Sequence, residues 1–202
     1  MMVMTHVLVG IVVGGCVALL APEAGTFALL AGALGGAVPD LDLYAGHRKT
    51  LHFPVYGPLA GVLALAGALA VGGPALAALA AFLLSAGLHA SMDVLGGGLE
   101  LKPWRATSER AVYSHYHGRW LPPRRLVPYD GAPADLLLAG VAGLPALAVT
   151  SAPLDDGVTL LLVAAMAYTV LRKRLADLWA ALAGRLPPHL ADYLPERFAE
   201  AR

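Results

Sequence analysis

Long apolar segments alternate with short polar connections along the chain, and this pattern predicts helices. The segments span roughly Val7–Ala21, Gly25–Val38, Pro54–Val71, Ala75–Leu95, Asp135–Val149 and Val158–Leu171. A helix that crosses a membrane needs about 20 apolar residues, within a range of about 17–25. The third and fourth segments meet this requirement. The other four fall short of it and would individually also fit buried helices of a soluble core.

The composition favours the membrane over a soluble core. Of the 202 residues, 58% are hydrophobic and only 14% are charged, whereas a soluble domain carries about 25% charged residues. No linker separates two independent apolar sets, so we expect one integral membrane domain over residues 1–202. The predicted fold class is therefore all-α, a polytopic membrane protein with about six transmembrane helices. Small residues such as Gly10 and Gly32 predict close packing of the first two helices.

The positive charges indicate the orientation of these helices. The turns that join the first segment to the second, the third to the fourth and the fifth to the sixth contain no Lys or Arg. All 14 basic residues lie in the other connections and the tail, at Arg48, Lys49, Lys102, Arg105, Arg110, Arg119, Arg124, Arg125, Arg172, Lys173, Arg174, Arg185, Arg197 and Arg202. Because cytoplasmic loops retain Lys and Arg during insertion, we predict both termini in the cytoplasm and the chain in the inner (plasma) membrane.

The same charges limit the expected partners. The lipid bilayer is the main one, and Arg172, Lys173 and Arg174 are expected to touch anionic headgroups. The net charge is zero and the basic residues are dispersed without a recognition motif, so no nucleic-acid partner is expected. The single cysteine, Cys16, is expected to act as a small apolar residue. The sequence does not define an oligomeric state.

Two regions outside the apolar segments have a distinct composition. The predicted cytoplasmic loop 99–133 combines arginines with aromatic residues, which are Trp104, Tyr113, Tyr116, Trp120 and Tyr129. Such a loop either anchors at the membrane interface or covers a site. The tail, 175–202, places Leu175, Leu178, Trp179, Leu182, Leu186 and Leu190 on one helical face. This pattern predicts a cytoplasmic, interfacial helix that is broken at Pro187 and Pro188.

Ionisable side chains within the fourth apolar segment indicate a site. His89 and Asp93 are four residues apart, so on a helix they share one face near its cytoplasmic end. Such groups are costly inside a membrane and commonly functional. Taken alone, His89 also fits a core histidine that is hydrogen-bonded to a neighbouring helix.

Other candidate ligands occur at the same predicted depth. The full set is His6, Asp40, Asp42, His47, His52, His89 and Asp93, with Asp40, His47, His52, His89 and Asp93 as its core. Imidazole and carboxylate groups suit a divalent ion such as zinc or manganese. A single ion takes about four ligands, so either two ions bind or some of these residues orient the others.

Each candidate also has a simpler interpretation. Asp40 and Asp42 fit a polar stop after a helix, although the helix dipole disfavours carboxylates at that end. His47 fits an ordinary loop histidine, and His6 fits an interfacial residue. Arg48 and Lys49 are predicted to bind an anionic substrate group, and they also fit plain topology signals.

The pair His115 and His117 is placed outside the metal set, and the sequence assigns no catalytic residue. Residues two apart share a face only in an extended strand. The two histidines therefore fit interfacial polar residues of loop 99–133, or a proton shuttle if that loop covers the site.

The motifs together resemble a known family. They are Thr5-His6, Pro39-Asp40-Leu41-Asp42, His47-Arg48-Lys49-Thr50-Leu51-His52, His89-Ala90-Ser91-Met92-Asp93 and Leu101-Lys102-Pro103. In this order they resemble the membrane-bound metal-dependent hydrolases of the YdjM-like inner-membrane type, over about residues 5–104. The chain departs from that pattern at Phe53, where Ser is common, and at Gly96–Gly98, where Thr is common. The resemblance implies a hydrolase but no particular substrate.

Three functions are compatible with the sequence. The first is a membrane-embedded metal-dependent hydrolase at the cytoplasmic interface, acting on a phosphoester or a lipid-like ester. The second is a metal-binding structural or regulatory membrane protein without hydrolytic activity. The third is metal transport, which the near absence of polar groups in the remaining apolar segments disfavours.

Overall fold

The computed structural model describes residues 1–187, 193–195 and 198. Within these ranges the chain forms six α-helices and one small sheet. The helices are α1 (Val3–Leu20), α2 (Gly25–Ala37), α3 (Tyr56–Val71), α4 (Pro74–Val94), α5 (Pro133–Val149) and α6 (Leu154–Ala183). Each predicted apolar segment forms one of them, so the mostly helical architecture is confirmed.

Several of these helices have the length and composition of membrane spans. Among the described residues, the segments long and apolar enough to cross a membrane are Val3–Leu20, Pro22–Tyr44, Pro74–Val94 and Leu154–Ala183. The second of these is α2 with a short 3-10 turn at each end. Helices α3 and α5 are apolar but have only 16 and 17 residues. The third segment thus forms a shorter helix than predicted, because Pro54 and Val55 form a turn before it.

The helices pack in two connected groups. Helices α1, α2 and α4 pack on one another, and α3 packs on α4. Helix α5 packs on α1, and α6 packs mainly on α5. One apolar cluster joins α1, α2, α5 and α6 through residues such as Leu8, Leu29 and Val158. A second cluster joins α1 and α2 to α3 and α4 through Val17, Ala28, Ala77 and others.

Glycines allow the first two helices to touch through their backbones. A Cβ added at Gly32 would overlap the carbonyl oxygen of Gly10, and one at Gly10 would overlap the carbonyl of Gly32. A Cβ added at Gly14 would likewise overlap the carbonyl oxygen of Ala28. The predicted close packing of α1 and α2 is therefore confirmed, and it depends on the absence of side chains at these positions.

The loop between α4 and α5 contains the sheet. Strand β1 (Val112–Ser114) pairs with the antiparallel strand β2 (Arg119–Leu121), and Gly118 (φ 62°) lies in the turn between them. The all-α prediction is wrong in this detail. Gly118 adopts the positive φ that allows the chain to reverse between the two strands.

The hairpin lies on the segment that precedes α3. The N–H of Tyr113 donates to the carbonyl of Arg48 (2.9 Å), and His115 Nε2 donates to the carbonyl of Lys49 (2.7 Å). The rings of Phe53 and His115 stack with their centroids 4.7 Å apart. Loop 99–133 thus holds the backbone of the 48–53 segment in place.

Helix α6 includes both the end of the sixth predicted apolar segment, at Leu171, and the start of the predicted tail, at Leu175. It has 30 residues and ends at Ala183, before Pro187. Arg172 is buried within it and forms a two-contact ion pair with Asp130, at 2.8 Å (Nε–Oδ2) and 3.0 Å (Nη2–Oδ1). The prediction that Arg172 contacts headgroups is therefore wrong. The predicted break at Pro188 and the apolar position Leu190 lie outside the described residues.

The glycine contact between α1 and α2 leads to a stability prediction. Replacing Gly32 with Leu should force the helices apart and cost about 1–3 kcal/mol or more. The midpoint of thermal unfolding in detergent should fall by roughly 4 °C or more. The matched control is Gly140→Leu, because a Cβ at that helical glycine meets nothing within 4 Å. Equal midpoints for the two variants would contradict this account of the contact.

Candidate metal centre

Three separate segments bring candidate ligands to one place. Asp40 lies in the 3-10 turn Val38–Tyr44 that follows α2, and His52 lies in the loop before α3. His89 and Asp93 lie in the last turns of α4, on one face. One ligand atom from each of these four side chains falls within 4.8 Å of all the others. We call these four residues the ligand cluster.

The distances within the ligand cluster suit a single cation. His89 Nε2 is 3.5 Å from Asp40 Oδ1 and 3.7 Å from Asp93 Oδ2. His52 Nε2 is 4.0 Å and 3.6 Å from the same two oxygens. Ligands placed tetrahedrally at about 2.0–2.2 Å from an ion lie about 3.3–3.6 Å from one another. These four histidine–carboxylate distances lie at or somewhat above this range.

Hydrogen bonds set the tautomer of both ligand-cluster histidines. His52 Nδ1 donates to Asp42 Oδ2 (3.0 Å), and His89 Nδ1 donates to the carbonyl of Gly36 (2.7 Å). The hydrogen is thus on Nδ1, and the lone pair of Nε2 points into the cluster. Neither Nε2 atom has a hydrogen-bond partner in the described part of the chain, although both are buried. A bound cation would satisfy these atoms, so the residues fit a metal ion.

Asp93 is the most heavily engaged member of the cluster. Its Oδ1 accepts from the charged amino group of Met1 (2.6 Å) and from His6 Nε2 (3.1 Å). Its Oδ2 faces Arg48 Nε at 3.1 Å. The ring of His6 also stacks on the ring of His89, with centroids 3.7 Å apart. His6 therefore contacts two cluster members from outside the group of four.

Asp42 organises the loop that supplies His52. Besides His52, it accepts hydrogen bonds from the N–H groups of Arg48, Lys49 and Leu51, each at 3.2 Å. Its Oδ1 also contacts His47 Nδ1 at 3.0 Å. These contacts account for the left-handed backbone of Arg48 (φ 58°), which a non-glycine residue adopts only when its surroundings enforce it.

Of the seven predicted ligands, four thus come together and three do not. Asp40, His52, His89 and Asp93 come together. His6 and Asp42 contact the cluster as orienting partners. His47 was predicted in the core of the set, but it contacts Asp42 instead of joining the four. His115 and His117, which the sequence places outside the set, lie in the hairpin, where His117 is hydrogen-bonded to Ser114 (2.8 Å).

Access to the cluster runs past Asp40. The side chains of His52, His89 and Asp93 are at most 1% exposed, whereas that of Asp40 is 27% exposed. A pocket of about 560 Å³ begins there and is also lined by His47, Arg48 and Tyr168. We call it the Asp40 pocket.

The two residues predicted to bind an anion differ in their placement. Arg48 is buried and lines the Asp40 pocket. Lys49 is exposed, and its Nζ lies 4.8 Å above the ring of Tyr113. Only Arg48 of the pair is therefore positioned to meet a group bound beside Asp40.

The surroundings of His52 favour positive charge. Burial opposes protonation of His52, but its hydrogen bond to Asp42 and the nearby carboxylate of Asp93 outweigh burial and raise the pKa of His52 above its usual value. The carboxylates that stabilise a proton there would also stabilise a metal cation, for which the proton competes.

Two backbone carbonyls orient side chains of the site, and the ligand motifs in the sequence do not predict them. The carbonyl of Gly36 accepts from His89, and the carbonyl of Gly97 accepts from Arg48 Nη1 (2.9 Å). The only sequence signal is glycine itself. A Cβ at Gly97 would come within 2.5 Å of the carbonyl oxygen of Pro128. The run Gly96–Gly98 therefore serves close packing near the site.

No protein-family model, curated protein or solved structure matches this chain. The resemblance to YdjM-like hydrolases stays a prediction that depends on the motif residues alone. The geometry of the ligand cluster is independent of that resemblance.

The ligand cluster leads to a prediction about metal content. Protein loaded with zinc or manganese and freed of excess ion should retain about one equivalent, as four ligands imply. The variant His89→Gln should lose most of it, because one of the inward-facing nitrogens is removed. Elemental analysis of the purified protein measures this directly.

The matched control for metal content is His117→Gln, in the hairpin, which should retain the wild-type amount. Asp40→Asn provides a second test at a partly exposed ligand, where misfolding is less of a concern. Equal metal content in wild type, His89→Gln and Asp40→Asn would contradict the assignment.

Proposed function

We propose that this protein is a membrane-embedded metal-dependent hydrolase that acts at the cytoplasmic membrane interface on a phosphoester or lipid-like ester. The observation that carries the proposal is the convergence of Asp40, His52, His89 and Asp93, with unpartnered imidazole nitrogens facing two carboxylates. The resemblance to YdjM-like hydrolases supports the same reaction class, and we propose membership of that family.

The chemistry would follow from a cation held by the ligand cluster. A divalent ion bound there would polarise a phosphoryl or carbonyl oxygen and lower the pKa of a bound water to about 7. Asp42 and the carbonyl of Gly36 hold the histidines in the tautomer that ligation needs. Arg48, which is kept beside the cluster by Asp93 and Gly97, would bind an anionic group of the substrate.

His47 is the residue best placed to accept a proton. Its ring lies in the wall of the Asp40 pocket, and Asp42 orients the ring through Nδ1. A histidine whose ring is oriented by a carboxylate is a common general base. In this proposal His47 is thus a candidate base instead of the ligand that the sequence predicts.

The alternative is a metal-binding structural or regulatory membrane protein without hydrolytic activity. The observation that favours it is the burial of three ligand-cluster residues, which are at most 1% exposed. A structural metal site is closed, whereas a catalytic one keeps an open position. The partial exposure of Asp40 and the pocket beside it favour the hydrolase.

We further propose that all six helices cross the inner (plasma) membrane, with both termini and the ligand cluster on the cytoplasmic side. Helices α3 and α5, with 16 and 17 residues, lie near the lower limit of about 17 residues for a span. The absence of Lys and Arg from alternate turns supports this orientation.

The proposed orientation can be checked with single cysteines. In a Cys16→Ala background, Ser151→Cys between α5 and α6 should react with a membrane-impermeant maleimide in intact cells. Thr107→Cys, in the loop between α4 and α5, should react only after the membrane is permeabilised. Both positions are exposed, which makes them comparable. The reverse labelling pattern would contradict the orientation.

The hydrolase proposal predicts that some histidine variants lose both metal and turnover, whereas others keep the metal and lose only turnover. The metal-loaded protein, assayed on generic phosphodiesters and lipid esters, should show turnover that His89→Gln abolishes together with bound metal. His47→Gln should keep the metal and lose activity by about 10²-fold or more, as expected for a general base. His117→Gln should affect neither quantity.

Elemental analysis and product formation are measured on the same preparations. Bound metal without turnover on any ester would favour the structural alternative. Uptake of metal into proteoliposomes would favour transport. Unchanged turnover in His47→Gln would remove that residue from its proposed role.

A further inference from the structure

An apolar groove runs along α1 between α2 and α6. Its volume is about 560 Å³, which is within the range of about 300–1,000 Å³ that is usual for ligand pockets. Ile11 of α1 forms part of its floor, and Leu29 and Leu161 belong to the facing helices. The groove exists because α6 packs mainly on α5 and does not close against α2.

The groove continues into the Asp40 pocket. Val3 and Met4 line both. Along α6, Ala164 lines the groove, and Tyr168, about one turn further on, lines the pocket. The groove and the pocket therefore form one continuous path. Its walls are apolar in the groove, and in the pocket they include the carboxylate of Asp40 and the guanidinium of Arg48.

The groove also opens sideways. Leu30 on α2 and Leu160 on α6 line it and are 44% and 69% exposed. On helices with the length and composition of membrane spans, exposed leucines face acyl chains. A lipid could therefore enter the groove without leaving the bilayer.

We propose that the groove binds one acyl chain of a bilayer phospholipid, and that the phosphoester of the same molecule lies beside Asp40 and Arg48. This inference rests on the proposed function and specifies its substrate class. The apolar groove matches the chain, and the Arg48 guanidinium matches the anionic headgroup. Hydrolysis would break one P–O bond of the ester. The OH group of a water molecule would bond to phosphorus, and the other hydrogen of that water would go to the oxygen of the released alcohol.

Two tryptophan substitutions test the groove at different depths. A Cβ at Gly157 meets nothing within 4 Å, so Gly157→Trp should fill the end of the groove far from the cluster. Ala164 is exposed and lines the groove closer to the Asp40 pocket, so Ala164→Trp should fill it there. The matched control is Gly140→Trp, because that helical glycine also meets nothing within 4 Å and does not line the groove.

The probe is a phosphatidylglycerol that carries a photoreactive group at the end of one acyl chain. It is incorporated with the full-length protein into phosphatidylcholine vesicles. Cross-linked peptides should map to the groove faces of α1, α2 and α6 in the wild type and in Gly140→Trp. In Gly157→Trp and Ala164→Trp this cross-linking should fall by about tenfold.

Cross-linking spread evenly over the outer surface, or unaffected by the groove variants, would overturn the proposal. The metal-loaded protein is also assayed on the phospholipid and on a water-soluble phosphodiester, and the groove variants should lose turnover of the phospholipid alone. Wild type that cross-links as expected but hydrolyses neither ester would disprove the hydrolase and leave the lipid groove. Equal turnover of phospholipid by Gly157→Trp, Ala164→Trp and Gly140→Trp would disprove the groove and leave the hydrolase.

Discussion

Two carboxylates, Asp40 and Asp93, lie close together at one end of a mostly apolar helix bundle, and their negative charge is the main constraint on the residues around them. Asp40 and Asp93 each have an oxygen within 4.0 Å of the Nε2 atoms of both His52 and His89. Like charges in a medium of low dielectric constant repel strongly unless positive charge lies between them. Arg48 and the amino group of Met1 both contact Asp93, whereas Asp40 has no Lys or Arg partner among its ion pairs in the described part of the chain. A divalent cation at the centre would place positive charge directly between the two carboxylates.

Gly36 is the point at which three helices meet to build this arrangement. Its carbonyl accepts from His89 of α4, and a Cβ on it would overlap the carbonyl of His6 on α1. Its neighbour Gly35 is packed just as closely against Phe82 of α4. Small residues therefore do more than tighten the bundle. They bring the ends of α1, α2 and α4 close enough for His6, Asp40 and His89 to interact.

The helices could be predicted from the sequence, because a long apolar segment satisfies its backbone hydrogen bonds most readily as a helix. His89 and Asp93 were predictable as a pair, since four-residue spacing on a helix places them on one face. The separation of ligands from orienting residues was not predictable. His47 and His52 have similar sequence context, and only the hydrogen bonds that Asp42 makes in the folded loop turn one toward the cluster and the other toward the pocket.

Long-range polar contacts were likewise hidden from the sequence. Arg172 fits the pattern of a basic residue at a membrane surface, but Asp130 lies close to it only once α6 and loop 99–133 are in place. The hairpin has strands of three residues each, too short for alternation to stand out from the surrounding polar loop. In both cases the determining partner is distant in sequence, so local patterns contain no information about it.

The ligand cluster is covered by the hairpin on one side and borders the Asp40 pocket on the other. This difference bears on the route that a substrate of the proposed hydrolase would take. The hairpin is bonded to the backbone of residues 48 and 49 and covers the segment that supplies His52. On the opposite side, Asp40 borders a pocket that is also lined by Tyr168. The hydroxyl of Tyr168 donates to Asp130, the carboxylate that Arg172 also binds. Because that pocket continues into an apolar groove and the hairpin side is closed by backbone hydrogen bonds, approach from between the helices is the less obstructed route. Under the proposed function, a site reached from the bilayer would select for amphiphilic molecules before any chemistry takes place.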